Sequence, residues 1–133
     1  MSTVYAREDD LAVDEFIDLC RKSGLNRPIE DRGRIERMLA HANLIMTARQ
    51  RGRLVGFARS LTDFCFCCYL SDLAVDRACQ GQGIGRRLIE ETRRAAGGEM
   101  TTTLLLSAPT AMTFYRAIEM PHADNCFLYR RSR

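Results

Sequence analysis

The chain has 133 residues, of which 46% are hydrophobic, 28% charged and 8% aromatic. Twenty Lys and Arg residues against 17 Asp and Glu residues give a formal net charge of +3. This length predicts one domain over residues 1–133, and the composition excludes a multidomain machine, a coiled coil and a disordered chain. The small basic excess suits a polyanionic small ligand and is too weak to predict nucleic-acid binding.

The sequence also indicates where the protein resides. Residues 7–10 read Arg-Glu-Asp-Asp, where a signal peptide would need its apolar core. The longest apolar stretch, residues 64–70, is far shorter than the roughly 18 residues that a membrane helix needs. We therefore expect a cytoplasmic protein without a membrane partner. Its six cysteines are expected to be reduced thiols buried in the core, with no metal site.

The first half of the chain predicts two helices between short strands. Asp9 or Asp10 is placed to cap the first helix, whose apolar residues follow i, i+3, i+4, i+7 spacing. Gly24 is a suitable end for it, because glycine adopts the left-handed conformation without a Cβ clash. The expected elements are a strand at 3–6, a helix ending at Gly24, a helix from Pro28 to Asn43, and strands at 44–49 and 54–61.

The second half predicts a strand, a glycine-rich turn and a further helix. Together with the first half this gives the order β-α-α-β-β-β-α-β-α-β, which indicates an α/β domain with a mixed sheet. The expected elements are a strand at 64–75, a turn at 80–85, a helix at 84–96, a strand at 101–106, a helix at 111–118 and a strand at 125–129.

The turn Gln80-Gly-Gln-Gly-Ile-Gly85 is the most informative segment. Such a turn at the start of a helix leaves backbone N–H groups unpaired near one point, where the helix dipole adds positive charge. Arg86 and Arg87 add two further positive charges. These features predict a phosphate-binding loop. The dinucleotide fingerprint is excluded because its third glycine would fall on Arg86, and no Gly-Lys-Ser/Thr of a Walker loop follows.

The spacing Gln-x-x-Gly-x-Gly, between a strand and an amphipathic helix, resembles the acyl-CoA pyrophosphate loop of the GCN5-related N-acetyltransferase (GNAT) family. The order of elements is similar to that family's fold over most of the chain. The resemblance implies a mixed, mostly antiparallel sheet of six to seven strands flanked by about four helices. It implies acetyl-CoA as co-substrate, no metal, and these CoA-binding residues: Leu73, Ala74, Val75, Gln80, Gly81, Gln82, Gly83, Ile84, Gly85 and Arg86.

The segment Ala111-Met-Thr-Phe-Tyr115 resembles a helix of the same family that carries a tyrosine. The implied role of Tyr115 is general acid towards the departing CoA thiolate. A phenol with a pKa near 10 suits a thiol whose pKa is near 8.5. The alternative is that Tyr115 is only a packed aromatic residue beside Phe114.

Two positions depart from the family pattern. Ala108 stands where the family usually has asparagine, and Glu119 replaces the glycine that follows the tyrosine helix. We expect Pro121 to end that helix instead.

Transfer to an amine requires loss of a proton from the amine, because aliphatic amines are mostly charged at neutral pH. Asp72, three residues before Val75, is the candidate base, the alternative being a polar residue at a strand irregularity. Tyr69 is a candidate for the acceptor pocket, and Asp63 is more typical of a loop acid. The arginines of residues 21–37 would suit an acceptor with a carboxylate or phosphate, or simply form a solvated helix face.

These observations predict an N-acetyltransferase that moves acetyl from acetyl-CoA to a primary amine of a small molecule, by direct attack in a ternary complex. A protein or peptide N-acetyltransferase and a non-catalytic CoA-binding sensor or partner subunit remain alternatives. The resemblance also implies a possible homodimer that forms through the last strands of the sheet. No nucleic-acid partner is expected, because the basic residues are not interleaved with aromatic ones.

Overall fold

A five-stranded sheet forms the centre of the computed structural model, which describes residues 2–133. The strands lie in the order β1-β2-β3-β4-β5, antiparallel except for the parallel pair β4 and β5. No helix in residues 2–133 has the length and apolar character needed to cross a bilayer. The elements are β1 (Val4–Arg7), α1 (Val13–Ser23), α2 (Arg32–His41), β2 (Leu44–Gln50), β3 (Arg53–Thr62), β4 (Cys67–Val75), α3 (Ile84–Ala95), β5 (Thr102–Leu104) and α4 (Met112–Ala117).

Hydrophobic residues pack on both faces of this sheet. On one face, Phe16 of α1 stacks on Phe57 of β3 with ring centroids 4.6 Å apart, beside Ile35 of α2. On the other face, Leu88 of α3 packs in a cluster with Val55 of β3. Successive strand side chains point to opposite faces, so β2 and β3 are buried along nearly their whole length. The predicted α/β class with four helices is confirmed, with five strands in the described residues rather than six to seven.

The beginning of α1 differs from the prediction. The helix begins after Ala12 with no side-chain cap, so neither Asp9 nor Asp10 caps it. Asp9 Oδ1 instead accepts a hydrogen bond from the Ile45 N–H of β2 at 3.0 Å. The predicted end at Gly24 is confirmed, with a φ of 79°.

The β3–β4 turn shortens the strand predicted from residue 64. Asp63 Oδ1 accepts the N–H groups of Cys65, Phe66 and Cys67 at 3.1, 2.8 and 3.0 Å, so these groups are drawn into a turn. Strand β4 therefore begins only at Cys67. The predicted burial of the cysteines is correct for Cys20, Cys68 and Cys79 and wrong for Cys65, Cys67 and Cys126, which are exposed.

The strand predicted at 125–129 is wrong. Residues 121–133 follow α4 without regular secondary structure, and the side chains of Phe127 and Tyr129 are exposed. Strand β5 has only three residues, so it offers few backbone groups to a further strand. The run Cys126-Phe-Leu-Tyr129 also lacks the apolar–polar alternation of a strand with one buried face.

Candidate functional site

Strands β4 and β5 separate at the point where the predicted site begins. They pair only from Cys67 to Tyr69, opposite Thr102 to Leu104, whereas β4 continues to Val75. The edge of β4 beyond Tyr69 therefore has no strand neighbour on the β5 side within the described residues. Backbone N–H and C=O groups on such an edge can bind an extended ligand, although the carbonyls of Ser71 and Val75 already accept side-chain hydrogen bonds from Arg27 and Gln80. Leu73, Ala74 and Val75 lie on this edge, and their contact with pantetheine stays a prediction.

A short 3-10 turn at Arg77–Cys79 separates β4 from the glycine-rich loop, which leads into α3. Gly81 and Gly83 have φ values of 82° and 80°, and a Cβ at either position would meet nothing within 4 Å. The hydrogen bonds of the described residues give the N–H groups of 81–86 no acceptor. An open surface of unpaired donors at a helix N-terminus fits a pyrophosphate group. Gln80, Gly81, Gln82, Gly83, Ile84 and Gly85 are thus brought together as the sequence predicts.

Three side-chain hydrogen bonds hold this loop and the turn before it in place. Gln80 Nε2 donates to the Val75 carbonyl at 3.2 Å, and Asp76 accepts the Ala78 N–H at 2.9 Å. Gln82 Oε1 accepts a hydrogen bond at 3.1 Å from Gln50, which is buried at the end of β2. The role of Gln50 could not be predicted from the sequence, because nothing local marks a partner 32 residues away. Such contacts preorganise the loop before a ligand arrives.

The two arginines after the loop differ in their partners. Arg87 pairs with Glu91 at 2.8 Å and lies over the Tyr5 ring at 4.8 Å, so it is held away from the loop. Arg86 lies 3.6 Å from Glu90 and borders a cavity of about 430 Å³ between α3, β5 and the segment after α4. Of the two arginines, only Arg86 borders this cavity.

Helix α4, which carries Tyr115, packs against the start of α3 through Phe114. A Cβ on Gly85 would lie 2.9 Å from Cζ of Phe114, so the start of α3 and α4 pack closely there. The Phe114 and Tyr115 rings meet edge to face at 5.0 Å. Burial raises the pKa of the Tyr115 phenol above its usual value of 10.0, while the positive charge of Arg27 lowers it. The phenol is thus protonated at neutral pH, the form that a proton donor requires.

Glu119 ends α4, and the expectation for Pro121 is wrong. The Glu119 N–H donates to the Arg116 carbonyl at 3.0 Å, and the Met120 N–H donates to the Tyr115 carbonyl at 3.1 Å. This is the hydrogen-bond pattern of a Schellman cap, with Glu119 at a φ of 59° in the position that glycine favours. Helix α4 therefore ends at the position where the resemblance implies a glycine, with Glu119 in its place.

Asp72 lies within a buried ion-pair cluster. Its side chain has no exposed surface; Oδ1 accepts from Arg27 Nε at 2.6 Å, and Oδ2 accepts from Arg59 Nε. The register of β3 and β4 shifts beside Ser71, as the predicted strand irregularity requires. Both carboxylate oxygens are engaged by guanidinium groups, an arrangement typical of a structural ion pair. The role of Asp72 as general base stays a prediction, and its surroundings favour the structural alternative.

Asp63 and Cys20 also have shifted pKa values. Three N–H hydrogen bonds hold the Asp63 carboxyl pKa at about 2, which suits the loop role expected of it. Burial raises the pKa of the Cys20 thiol, beside the Asp72 cluster, to about 12. In residues 2–133 no three His, Cys, Asp or Glu side chains are grouped to hold a metal ion.

Known proteins are similar to this chain in sequence. Residues 41–118 match the family model described as "Acetyltransferase (GNAT) domain". The chain is 30% identical over 114 residues to serotonin N-acetyltransferase 2, chloroplastic, of Oryza sativa subsp. japonica, covering 80% of this chain and 57% of that protein. The chain spans about six tenths of the length of the curated relatives that it matches first.

Solved structures share the fold at low sequence identity. A protein of unknown function and probable acetyltransferase from meticillin-resistant Staphylococcus aureus gives a TM-score of 0.77 at 18% identity, covering 98% of this chain and 99% of that one. An aminoglycoside N-acetyltransferase in complex with CoA gives a TM-score of 0.73 at 14% identity, covering 99% and 96%.

Proposed function

The chain belongs to the GNAT acetyltransferase family, and we propose that it transfers acetyl from acetyl-CoA to the primary amine of a small molecule. The observation that carries the proposal is the loop at 80–86, in which the N–H groups of residues 81–86 have no acceptor, close in the chain to the edge of β4 that has no strand neighbour. A serotonin N-acetyltransferase among the relatives, and an aminoglycoside N-acetyltransferase of similar fold, support a small-molecule amine as acceptor.

Residues 81–86 would bind the pyrophosphate of acetyl-CoA, and the free edge of β4 would orient its pantetheine arm. Acetyl-CoA would supply the acetyl group as an activated thioester. Holding the donor and the acceptor together converts transfer into a step within one ternary complex. The residues that we assign to CoA are Leu73, Ala74, Val75, Gln80, Gly81, Gln82, Gly83, Ile84, Gly85 and Arg86.

In the proposed chemistry the amine nitrogen forms a bond to the acetyl carbon, and the carbon–sulfur bond breaks. Tyr115 Oη gives its proton to the departing thiolate. The ammonium form of the acceptor first loses a proton to solvent or, in the general-base hypothesis, to Asp72, and the nitrogen loses a second proton to solvent as the amide forms. The Tyr115 phenolate then regains a proton from solvent. No covalent acyl-enzyme is needed for this balance.

The test is amine-dependent release of CoA thiol, with Tyr115→Phe beside the wild type. We expect a turnover number lower by roughly 100-fold, the usual size of a general-acid contribution, with the acetyl-CoA dissociation constant unchanged. Tyr5→Phe is the matched control, because Tyr5 is another partly buried tyrosine with a raised pKa. It should keep the wild-type turnover number.

The outcomes of this assay separate the alternatives. Unchanged turnover in Tyr115→Phe removes the hydroxyl from the mechanism. Acetylation of peptides but of no small amine supports the peptide acetyltransferase. Acetyl-CoA binding without turnover on any amine supports the non-catalytic sensor or partner subunit.

We further propose that residues 1–133 act as a single acyl-CoA-binding domain in the cytoplasm. The six cysteines are free, as suits a reducing compartment. A homodimer, and the expected lack of nucleic-acid and membrane partners, stay predictions that sedimentation and binding measurements would test.

A further inference from the structure

A second cavity lies beside the point where β4 and β5 separate. It has a volume of about 450 Å³ and is lined by Tyr69 of β4, Leu106 and residues 128–133. We call it the C-terminal cavity. Tyr69 is the last residue of β4 that pairs with β5, opposite Leu104. The cavity therefore opens next to the free edge of β4 along which the thioester is proposed to lie.

The lining of the C-terminal cavity is cationic and apolar. It contains Arg130, Arg131 and Arg133, with tyrosine and leucine side chains and no acidic residue. Within residues 2–133 none of these three arginines takes part in an ion pair. Guanidinium groups pair with carboxylate and phosphate in bidentate geometry, so this lining favours an anion.

Neighbouring groups do not cancel this positive charge. Asp72 lies three residues along β4 from Tyr69 and pairs with Arg27 and Arg59. This cluster therefore carries one negative and two positive charges. The segment that bears the cavity arginines is also tied to α2, because Arg34 Nη2 donates to the Arg133 carbonyl at 3.2 Å. The segment thus adds cationic side chains beside Tyr69, the candidate residue of the acceptor pocket.

We infer that the C-terminal cavity is the acceptor site and that it selects an amine that also carries an anionic group, a carboxylate or a phosphate. The inference rests on the proposed function. The anionic group pairs with the arginines of residues 130–133, and the apolar part of the acceptor lies against Tyr69 and Leu106. The amine then points to the gap between β4 and β5. An acceptor with several positive charges and no anion is repelled by the same arginines.

The experiment compares acceptors that differ only in the anionic group. Phenylalanine is paired with phenethylamine to test a carboxylate, and phosphoethanolamine with ethanolamine to test a phosphate. CoA thiol release is measured for each at saturating acetyl-CoA. We expect kcat/KM to be roughly ten-fold higher or more for the anionic member of at least one pair, the effect of one charge-assisted hydrogen bond. The pair that shows the preference identifies the anion.

A triple variant tests whether the cavity arginines cause the preference. Arg130→Gln, Arg131→Gln and Arg133→Gln together should raise KM for the anionic acceptor to that of its neutral partner, with little change in the neutral acceptor's kinetics. The control combines Arg51→Gln, Arg53→Gln and Arg94→Gln, which removes the same charge from exposed positions that do not line the cavity. It should keep the preference.

Each other result is informative. Neutral amines that equal or exceed the anionic ones, or a preference that survives the triple variant, overturn the inference and leave the acetyltransferase intact. Thiol release from no amine at all, despite acetyl-CoA binding, overturns the proposed function and the inference with it.

Discussion

Replacing Asp72 by asparagine separates its two possible roles, base and structural ion pair. The substitution keeps the shape of the side chain and removes one negative charge. Arg27 and Arg59 then face each other across a neutral group. The Asp72 side chain has no exposed surface and that of Arg59 is 8% exposed, so water cannot replace the lost charge there. We therefore expect a loss of stability, with the chemistry largely retained.

The size of the effect follows from the burial of the pair. Removing one partner of a buried ion pair costs about 3–5 kcal/mol. Unfolding entropy of about 2.1 cal/mol/K per residue gives about 0.28 kcal/mol/K for the 133 residues. The expected fall in Tm is therefore roughly 10–18 °C.

The assay is thermal unfolding together with turnover at a temperature where both proteins are folded. Asp72→Asn should show the lower Tm and a turnover number within about three-fold of wild type, whereas loss of a general base costs about 100-fold or more. Asp10→Asn, at an exposed acid, is the charge-matched control. An unchanged Tm with a hundred-fold loss of turnover would refute this reasoning and make Asp72 the base.

Two further predictions concern the turns that flank the site. Glu119→Gly places glycine at a left-handed φ of 59°, a conformation that costs a residue with a side chain about 1 kcal/mol. Because glycine's greater freedom in the unfolded chain partly offsets this gain, we expect Tm to rise by about 2 °C in Glu119→Gly and not to rise in Glu119→Ala. A Tm no higher in the glycine variant contradicts the assignment. The pKa of Asp63 in the folded protein, about 2, lies below its ordinary value of 3.8. Its contribution to the free energy of unfolding is therefore fully present above about pH 4 and is lost as the pH falls towards 2. Urea unfolding at pH 5 and pH 2.5 should therefore show a smaller acid-induced loss of unfolding free energy in Asp63→Asn than in wild type. An equal loss in both proteins would exclude Asp63 as a source of the acid sensitivity.

The elements that the sequence predicts correctly are those with a local signal. The alternating glycines at 81, 83 and 85, between an apolar strand and an amphipathic helix, identified the loop and its helix. Backbone conformation at such a turn depends on the glycines themselves, so no distant partner had to be known. The same holds for Gly24, which ends α1.

The failures arose where a distant or competing partner decides the outcome. Arg27 reaches Asp72 across 45 residues, and no pattern along the chain records that pairing. Asp63 draws three N–H groups into a turn, overriding the β preference of the residues after it. Residues 125–129 are β-prone, but strand formation needs a partner edge, and β5 is too short to provide one.

The central claim is that the loop at 80–86 binds acetyl-CoA through its backbone N–H groups. The most direct measurement is calorimetric titration of acetyl-CoA into the wild type, Gly83→Asp and Gly52→Asp. Gly83 and Gly52 have φ values of 80° and 77°, and a Cβ at either meets nothing within 4 Å, so the two variants carry the same backbone penalty and charge. We predict saturable binding by the wild type and Gly52→Asp, weakened roughly ten-fold or more in Gly83→Asp, as loss of one charge-assisted hydrogen bond would require. Equal binding by all three proteins, or none by the folded wild type, would contradict the account.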